Sequence, residues 1–237
     1  MNLFQAMKEK FLDNYNMLSG MLRSMFGDPD AWEASIHRFE AREKLQPASQ
    51  GAILFTGSSS ITLWSSLAQD MAPLPVVNRG FGGSRMPEVV HYAGRIARPC
   101  HPRAVVLFAG TNDIADPRPA TARQVFEGYL DFVKAIHSFL PGTPIYYISI
   151  TPTPLRWKYW PVVREANRLI QAHAETDPAL HFIDIAIAFL GPDGLPDRRL
   201  FRPDRLHPNA RGYEKWTALI KSVLLADFPP STVITTS

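Results

Sequence analysis

The stretch from residue 52 to residue 61, AILFTGSSSI, leads from an apolar run into a glycine, three serines and the start of a helical pattern. Similar short runs, rich in Ile, Val, Phe and Tyr, recur at 76–77, 104–108, 145–150 and 181–185. These runs are nearly continuous in apolar residues, as expected of strands that are buried on both faces. The stretch therefore predicts the first strand of a buried parallel sheet, together with the loop that leaves it.

Helical patterns separate these runs. They lie near 60–71, 86–98, 121–140 and 160–175, and a last one is expected near 210–226. Strands that alternate with helices imply right-handed crossovers and a parallel sheet with helices on both faces. The sequence therefore predicts an α/β fold, a three-layer α/β/α sandwich around about five parallel strands.

The two ends of the chain lie outside this pattern of alternating strands and helices. Residues 1–27 place apolar side chains at steps of three and four, which predicts an N-terminal amphipathic helix. Packing of this helix on the main domain is the preferred interpretation, with a homo-oligomer contact, a surface for another partner or membrane-surface binding as alternatives. Residues 28–226, beginning with a helix over 30–45, are expected to form the main domain, and residues 227–237 a loose tail.

Composition excludes several classes of function. The net charge is only +3 and the Lys and Arg residues form no basic stripe, which argues against nucleic acid as a partner. The single cysteine, Cys100, excludes a disulfide framework and a cysteine-based metal cluster, and the histidines lack zinc-like spacing. No apolar stretch reaches the length of about eighteen residues that a membrane span requires. Charges at residues 8–13 interrupt any secretory signal, so a cytoplasmic location is expected.

Four polar or glycine-rich segments follow the predicted strands. Because ligands of open parallel sheets bind outside the carboxyl ends of the strands, these segments are expected at one edge of the sheet. They are Gly57-Ser58-Ser59-Ser60, the segment 78–84 (NRGFGGS), Gly110-Thr111-Asn112-Asp113, and Asp204-Arg205-Leu206-His207. Their coincidence predicts a functional site at that edge.

These residue types are suited to nucleophilic catalysis. A serine needs a histidine to take its proton, and the histidine needs an acceptor on its other nitrogen. Asp204 lies three residues before His207 in a turn bracketed by prolines, and Gly83, Asn112 and the serine N–H are candidate oxyanion donors. Taken alone, the serine cluster also fits a turn with a helix N-cap, and this reasoning does not rank the three hydroxyls.

Familiar alternative motifs do not fit. An α/β-hydrolase elbow would need glycine where Ile61 stands, and residues 57–62 lack the lysine of a phosphate-binding P-loop. A dinucleotide-binding fingerprint would need a glycine at Arg85, and its loop would follow the first strand instead of the second.

In this order, the four segments resemble the conserved blocks of the SGNH (GDSL-type) hydrolase superfamily. Ser58 stands where most members have aspartate, but a branch reading Gly-Ser-Ser-Ser-Ile and Asn-Arg-Gly-Phe-Gly-Gly-Ser is similar. The resemblance covers roughly residues 30–226 and implies a flavodoxin-like three-layer fold. It also implies acyl transfer to water through an acyl-enzyme, with no metal and no cofactor.

The resemblance implies a role for each residue of the site. Ser59 would be the nucleophile, His207 the base, and Asp204 the residue that orients His207. The oxyanion hole would consist of the Ser59 N–H, the Gly83 N–H and the Asn112 amide. Ser60 would begin the following helix.

The loop 151–160 is expected at the same sheet edge and contributes the aromatic residues Trp157, Tyr159 and Trp160. We treat these residues and Arg85 as candidate substrate-binding residues, with packing on the following helix as the alternative for the aromatics. A small-molecule ester with a short acyl chain is the expected substrate, while thioesters, acetylated sugars and lysophospholipids stay open. An acyltransferase would use the same residues, and a non-catalytic binding protein would be expected to lack one of them.

Overall fold

The computed structural model describes residues 11–12, 15–16, 18–20, 22–23, 28, 30–115 and 119–229. Within these residues, five parallel strands form one sheet in the order β2-β1-β3-β4-β5. The strands are β1 (Ile53–Gly57), β2 (Val76–Gly80), β3 (Ala104–Phe108), β4 (Ile145–Ile148) and β5 (Leu180–Ile183). The α/β fold class and the flavodoxin-like strand order are thereby confirmed.

Helices cover both faces of the sheet. The described α-helices from residue 30 onward are α1 (Glu33–Leu45), α2 (Ser59–Thr62), α3 (Leu67–Met71), α4 (Met86–Ala97), α5 (Thr111–Ile114), α6 (Ala122–His137), α7 (Trp160–Ala174) and α8 (Ala210–Asp227). The core on one face contains side chains of α1, α4, α6 and α7, and the core on the other contains those of α2, α3 and α8. Alternate strand residues enter the two cores, Leu54 one and Phe55 the other, because successive strand side chains point to opposite faces.

The prediction of one continuous helix over 60–71 is wrong. The chain forms two short helices there, α2 and α3. Between them Trp64 Nε1 and Ser66 Oγ both donate to Asp70 Oδ2, at 2.6 and 2.7 Å, which holds a turn in place of a helical connection. The buried Trp64 ring stacks on Tyr213 of α8. The first of these helices also begins at Ser59, one residue before the predicted start at Ser60.

The second strand is longer than predicted. Residues 78–80 were expected in the loop after it, but they continue β2 and pair with residues 55–57 of β1. Asn78 and Arg79 are accommodated because their side chains have partners on other elements. Asn78 Nδ2 donates to the Ile61 carbonyl at 2.7 Å, and the buried Arg79 forms an ion pair with Glu43 of α1.

The predictions for the two chain ends fall largely outside the described residues. Within 1–27, only nine positions between 11 and 23 are described, all of them helical, and of the predicted tail only residues 227–229 are described. Helix α1 is attached to the rest of the described domain by two sets of ion pairs. Glu43 of α1 pairs with Arg79, and Glu33 and Glu40 both pair with Arg95 of α4. The proposed domain limits, 28 and 226, stay a prediction.

Candidate active site

The loop after β1 approaches the end of β3 very closely. Gly57 has φ +122°, and a Cβ at this position would lie 2.0 Å from the Phe108 carbonyl oxygen. Only glycine fits here, since any side chain would collide with backbone. The same oxygen accepts a hydrogen bond from the Ser58 N–H at 2.9 Å. The chain is therefore turned at the switch point between β1 and β3, where Ser59 begins α2.

The three serines have distinct surroundings. Ser59 Oγ lies 2.8 Å from His207 Nε2. Ser58 Oγ is buried and has no hydrogen-bond partner within the described part of the chain. The Ser60 carbonyl accepts the Tyr213 hydroxyl at 2.9 Å, which ties α2 to α8. Of the three, it is the hydroxyl of Ser59 that contacts the imidazole.

Asp204 binds His207 through both of its carboxylate oxygens. Oδ2 lies 2.8 Å from His207 Nδ1, and Oδ1 accepts the backbone N–H groups of Leu206 and His207 at 2.9 and 3.0 Å. Burial acts to raise the pKa of Asp204, but these hydrogen bonds outweigh it, so the pKa lies below its ordinary value. The carboxylate is thus charged at neutral pH and orients the imidazole with Nε2 toward Ser59.

Neighbouring residues hold the turn 204–207 in place. Arg202 donates its backbone N–H to the His207 carbonyl at 2.8 Å, and its Nε to the Pro208 carbonyl at 3.1 Å. Asn209 caps α8 by accepting the Gly212 N–H. The Asn209 amide also donates to two carbonyls of the preceding segment. The histidine is therefore positioned by the beginning of α8.

The N–H groups of Ser59 and Gly83 and one N–H of Asn112 have no acceptor among the described residues. Across residues 30–115 and 119–229, neither the Ser59 N–H nor the Gly83 N–H donates a hydrogen bond. Asn112 Nδ2 donates one hydrogen to the Ser84 carbonyl at 2.9 Å and keeps the other. Gly83 adopts φ +86°, a conformation that glycine favours. These groups have the chemistry of oxyanion donors, with the loops after β1, β2 and β3 each contributing one.

Asp113, next to Asn112, binds the backbone at the start of helix α4. Its carboxylate accepts the Met86 N–H at 3.0 Å, which fixes the start of α4 to α5. Burial raises the pKa of Asp113 to about 6, although the hydrogen bond from Met86 acts in the opposite direction. This side chain therefore stabilises the loop that holds Asn112.

A very small cavity adjoins Ser59. Its volume is about 10 Å³, which is roughly room for one water molecule. Its lining is mixed in polarity and includes Ser59, Thr151, Thr153, Arg156, Phe201 and His207. A second cavity of about 10 Å³ shares Thr151, Thr153 and Arg156 with the first. The threonines were not singled out from the sequence, since nothing in their spacing marks them.

The predicted substrate-binding residues lie in three different settings. Tyr159 and Trp160 line the second cavity, whereas Trp157 stacks on Trp160 at 5.9 Å between ring centroids. Arg85 caps α4 and contacts Glu88, and it lines neither cavity. Arg156 joins the β4 loop to the Asn112 segment through three hydrogen bonds.

Comparison with known proteins places the chain in a family. A model described as the GDSL-like lipase/acylhydrolase family matches residues 49–215. The chain belongs to this family. Membership makes it a hydrolase of the ester-cleaving class and confirms the resemblance seen in the sequence. A search of the curated proteins finds no match.

Solved structures share the fold. A Streptococcus pneumonia protein provisionally described as a platelet activating factor is 19% identical, with a TM-score of 0.70, over 94% of this chain and 98% of its own. A GDSL-like lipase from Bacteroides thetaiotaomicron is 18% identical, with a TM-score of 0.68, over 81% and 98% of the two chains. A family 3 carbohydrate esterase from Talaromyces cellulolyticus is 16% identical, with a TM-score of 0.57, over 75% and 97%.

Two further observations concern metals and membranes. In the described part of the chain, no group of three or more His, Cys, Asp or Glu side chains is arranged to hold a metal ion. Among the described helices, none has both the length and the apolar character needed to cross a lipid bilayer.

Proposed function

We propose that the protein is a serine hydrolase that cleaves carboxylic esters with short acyl chains through an acyl-enzyme intermediate. The observation that carries this proposal is the continuous pair of 2.8 Å contacts from Ser59 Oγ to His207 Nε2 and from His207 Nδ1 to Asp204 Oδ2. Nucleophile, base and orienting carboxylate are already within hydrogen-bond reach, as this chemistry requires.

In the first half of the reaction, Ser59 Oγ attacks the ester carbonyl carbon while His207 Nε2 takes the hydroxyl proton. The negative charge that develops on the carbonyl oxygen is met by the N–H groups of Ser59 and Gly83 and by the remaining Asn112 N–H. When the tetrahedral intermediate collapses, His207 donates its proton to the alkoxide. The alcohol leaves, and the acyl group stays on Ser59.

In the second half, His207 removes a proton from water, and the resulting hydroxide attacks the acyl-Ser59 carbonyl. The same donors hold the second oxyanion. His207 then protonates Ser59 Oγ as the carboxylic acid leaves, so the enzyme returns to its starting state. This scheme requires only side chains and backbone groups of the chain itself.

The cavity beside Ser59 supports a short acyl group. A volume of about 10 Å³ is well below that of a pocket for a long alkyl chain. An acetyl methyl group needs little more room than the cavity offers, whereas a chain of eight carbons would require the loop after β4 to move. We therefore expect kcat/KM to fall steeply along the acetyl, butyryl and octanoyl esters of p-nitrophenol.

The test uses the purified full chain with this ester series. Ser59→Ala is expected to lower kcat for p-nitrophenyl acetate by roughly 10⁴-fold or more, because serine and histidine act as a unit. Ser58→Ala is the matched control, since its buried hydroxyl has no hydrogen-bond partner among the residues that the structure describes, and it should keep kcat within about threefold. A p-nitrophenyl phosphonate should label Ser59 covalently, as read by peptide mass spectrometry.

The proposal is wrong if a folded Ser59→Ala variant keeps its activity, or if Ser58→Ala lowers kcat by as much as Ser59→Ala does. A second experiment adds an alcohol acceptor to the assay and distinguishes hydrolysis from acyl transfer. If the acceptor captures nearly all of the acyl group in place of water, the protein is an acyltransferase that uses the same residues.

A further inference from the structure

Arg156 makes the contact between the loop after β4 and the segment that contains Asn112. Its Nη1 lies 2.9 Å from the Thr111 carbonyl oxygen, 2.9 Å from Thr111 Oγ1 and 3.1 Å from Asn112 Oδ1. These acceptors belong to the beginning of α5, which is 44 residues away in sequence from Arg156. One guanidinium nitrogen therefore spans the gap between two loops of the site.

Among the described residues, no carboxylate accepts a hydrogen bond from the Arg156 side chain. Across the described ranges 30–115 and 119–229, its side-chain hydrogen bonds go to Thr111 and Asn112 only. Burial lowers the pKa of this guanidinium to about 10, so it stays charged at neutral pH. The Asp113 carboxylate, next to Asn112, acts on this pKa in the opposite direction, so the guanidinium interacts with an anion as well as with the Asn112 amide. One of the groups that accept from Arg156 is the Asn112 amide, which uses one Nδ2 hydrogen on the Ser84 carbonyl and keeps the other.

The Asn112 amide is held at both ends. Its oxygen accepts from Arg156, and its nitrogen donates to the Ser84 carbonyl at 2.9 Å. Rotating the amide by half a turn would place NH₂ against the guanidinium and oxygen against a carbonyl, so that both hydrogen bonds would be lost. Only one orientation satisfies both partners, and it leaves one Nδ2 hydrogen free.

We propose that Arg156 is a positioning residue of the oxyanion hole, which fixes the orientation of the Asn112 amide and polarises its remaining N–H. A cation bound at the amide oxygen draws electron density from the nitrogen, which makes its hydrogen a stronger donor to a developing oxyanion. This inference rests on the proposed ester hydrolysis, and it adds a residue that works through Asn112 without touching the substrate.

The test compares Arg156→Met, Asn112→Ala and the double variant with p-nitrophenyl acetate. Loss of one oxyanion donor costs roughly 10²–10³-fold in kcat, so Asn112→Ala should fall in that range. Arg156→Met should lower kcat by roughly 10–100-fold while KM stays within twofold. The double variant should be within threefold of Asn112→Ala, because an effect that passes through Asn112 disappears when Asn112 is gone.

Two variants act as controls. Arg156→Lys keeps a cationic donor and should recover part of the lost kcat. Arg168→Met removes an arginine of α7 that is 63% exposed and paired with Glu165, and it should leave kcat unchanged. Thermal unfolding shows whether each variant is folded. If Arg156→Met does not fold, Arg156→Gln takes its place and must still show the kcat loss.

Three results would overturn the inference. One is a folded Arg156→Met with wild-type kcat, and another is a double variant whose loss equals the product of the single losses. The third is a raised KM with unchanged kcat, which would instead indicate that Arg156 binds an anionic group of the substrate. Ser59→Ala, measured in parallel, separates the two proposals. If Ser59→Ala is inactive while Arg156→Met is normal, only the role of Arg156 is wrong.

Discussion

The Asp204→Asn substitution keeps the size of the side chain but replaces one carboxylate oxygen with an amide nitrogen. In the structure, Oδ1 accepts two backbone N–H groups at 2.9 and 3.0 Å, and Oδ2 accepts the Nδ1 hydrogen of His207 at 2.8 Å. The asparagine oxygen is expected to keep the two backbone contacts, so its NH₂ group faces Nδ1. His207 must then carry its hydrogen on Nε2, where it cannot accept the Ser59 proton.

The size of the effect follows from the exposure of the carboxylate. In a fully buried triad of another serine hydrolase fold, the same exchange costs about 10⁴-fold in kcat. The Asp204 side chain is 44% exposed, so water can take over part of its role as acceptor. We therefore expect kcat to fall by roughly 10²–10³-fold, which corresponds to about 2.7–4.1 kcal/mol of transition-state stabilisation.

The assay is the steady-state hydrolysis of p-nitrophenyl acetate, with thermal unfolding measured on the same samples. Asp193→Asn, in an exposed turn, is the matched control and should keep the wild-type kcat. A folded Asp204→Asn enzyme with kcat within threefold of wild type would refute the reasoning. It would mean that the Asp204 carboxylate does not determine which nitrogen of His207 carries the hydrogen.

Two further predictions concern stability. The pKa of Asp113 is raised from 3.8 to about 6, so its favourable contribution is present below pH 3.8 and is lost as the pH rises through 6. The unfolding free energy of Asp113→Asn minus that of wild type should therefore grow by roughly 2–2.5 kcal/mol between pH 4 and pH 7 in urea titrations, and a constant difference would contradict this. Glu43→Gln leaves the buried Arg79 without the negative charge of its partner and should cost about 3–5 kcal/mol. The same change at Glu127, in an exposed pair, should cost less than 1 kcal/mol, and equal losses would contradict this prediction.

The fold could be predicted where burial alone decides the structure. The run 104–108 is apolar throughout, lies in the middle of the sheet and is a strand with the predicted limits. Strand β2 lies at the edge, and its polar residues Asn78 and Arg79 look like loop in the sequence. They are part of the strand because residues on other elements pair with their polar side chains. Those contacts form only in the tertiary structure, so the local sequence pattern does not reveal them.

The site could be predicted only in part. A spacing of three residues was enough to suggest that Asp204 reaches His207, since a short turn limits where the side chains can lie. The choice of Ser59 among three serines came from the resemblance, because local spacing gives all three an equal chance. The contact of Arg156 with Asn112 has no local signal, since 44 residues and a complete crossover separate the two.

The segments that hold the proposed nucleophile, Ser59, and the proposed base, His207, are both anchored to the beginning of α8. Tyr213 donates its hydroxyl to the Ser60 carbonyl, next to Ser59, and Asn209 binds the segment that leads into the 204–207 turn. A small shift of α8 against the sheet would therefore carry both loops in the same direction. Because the two loops share this anchor, the 2.8 Å contact between Ser59 Oγ and His207 Nε2 is expected to change less than either loop moves. The proposed oxyanion donors Gly83 and Asn112 lie outside this anchor, and the proposed role of Arg156 is to hold the Asn112 amide in place from the loop after β4.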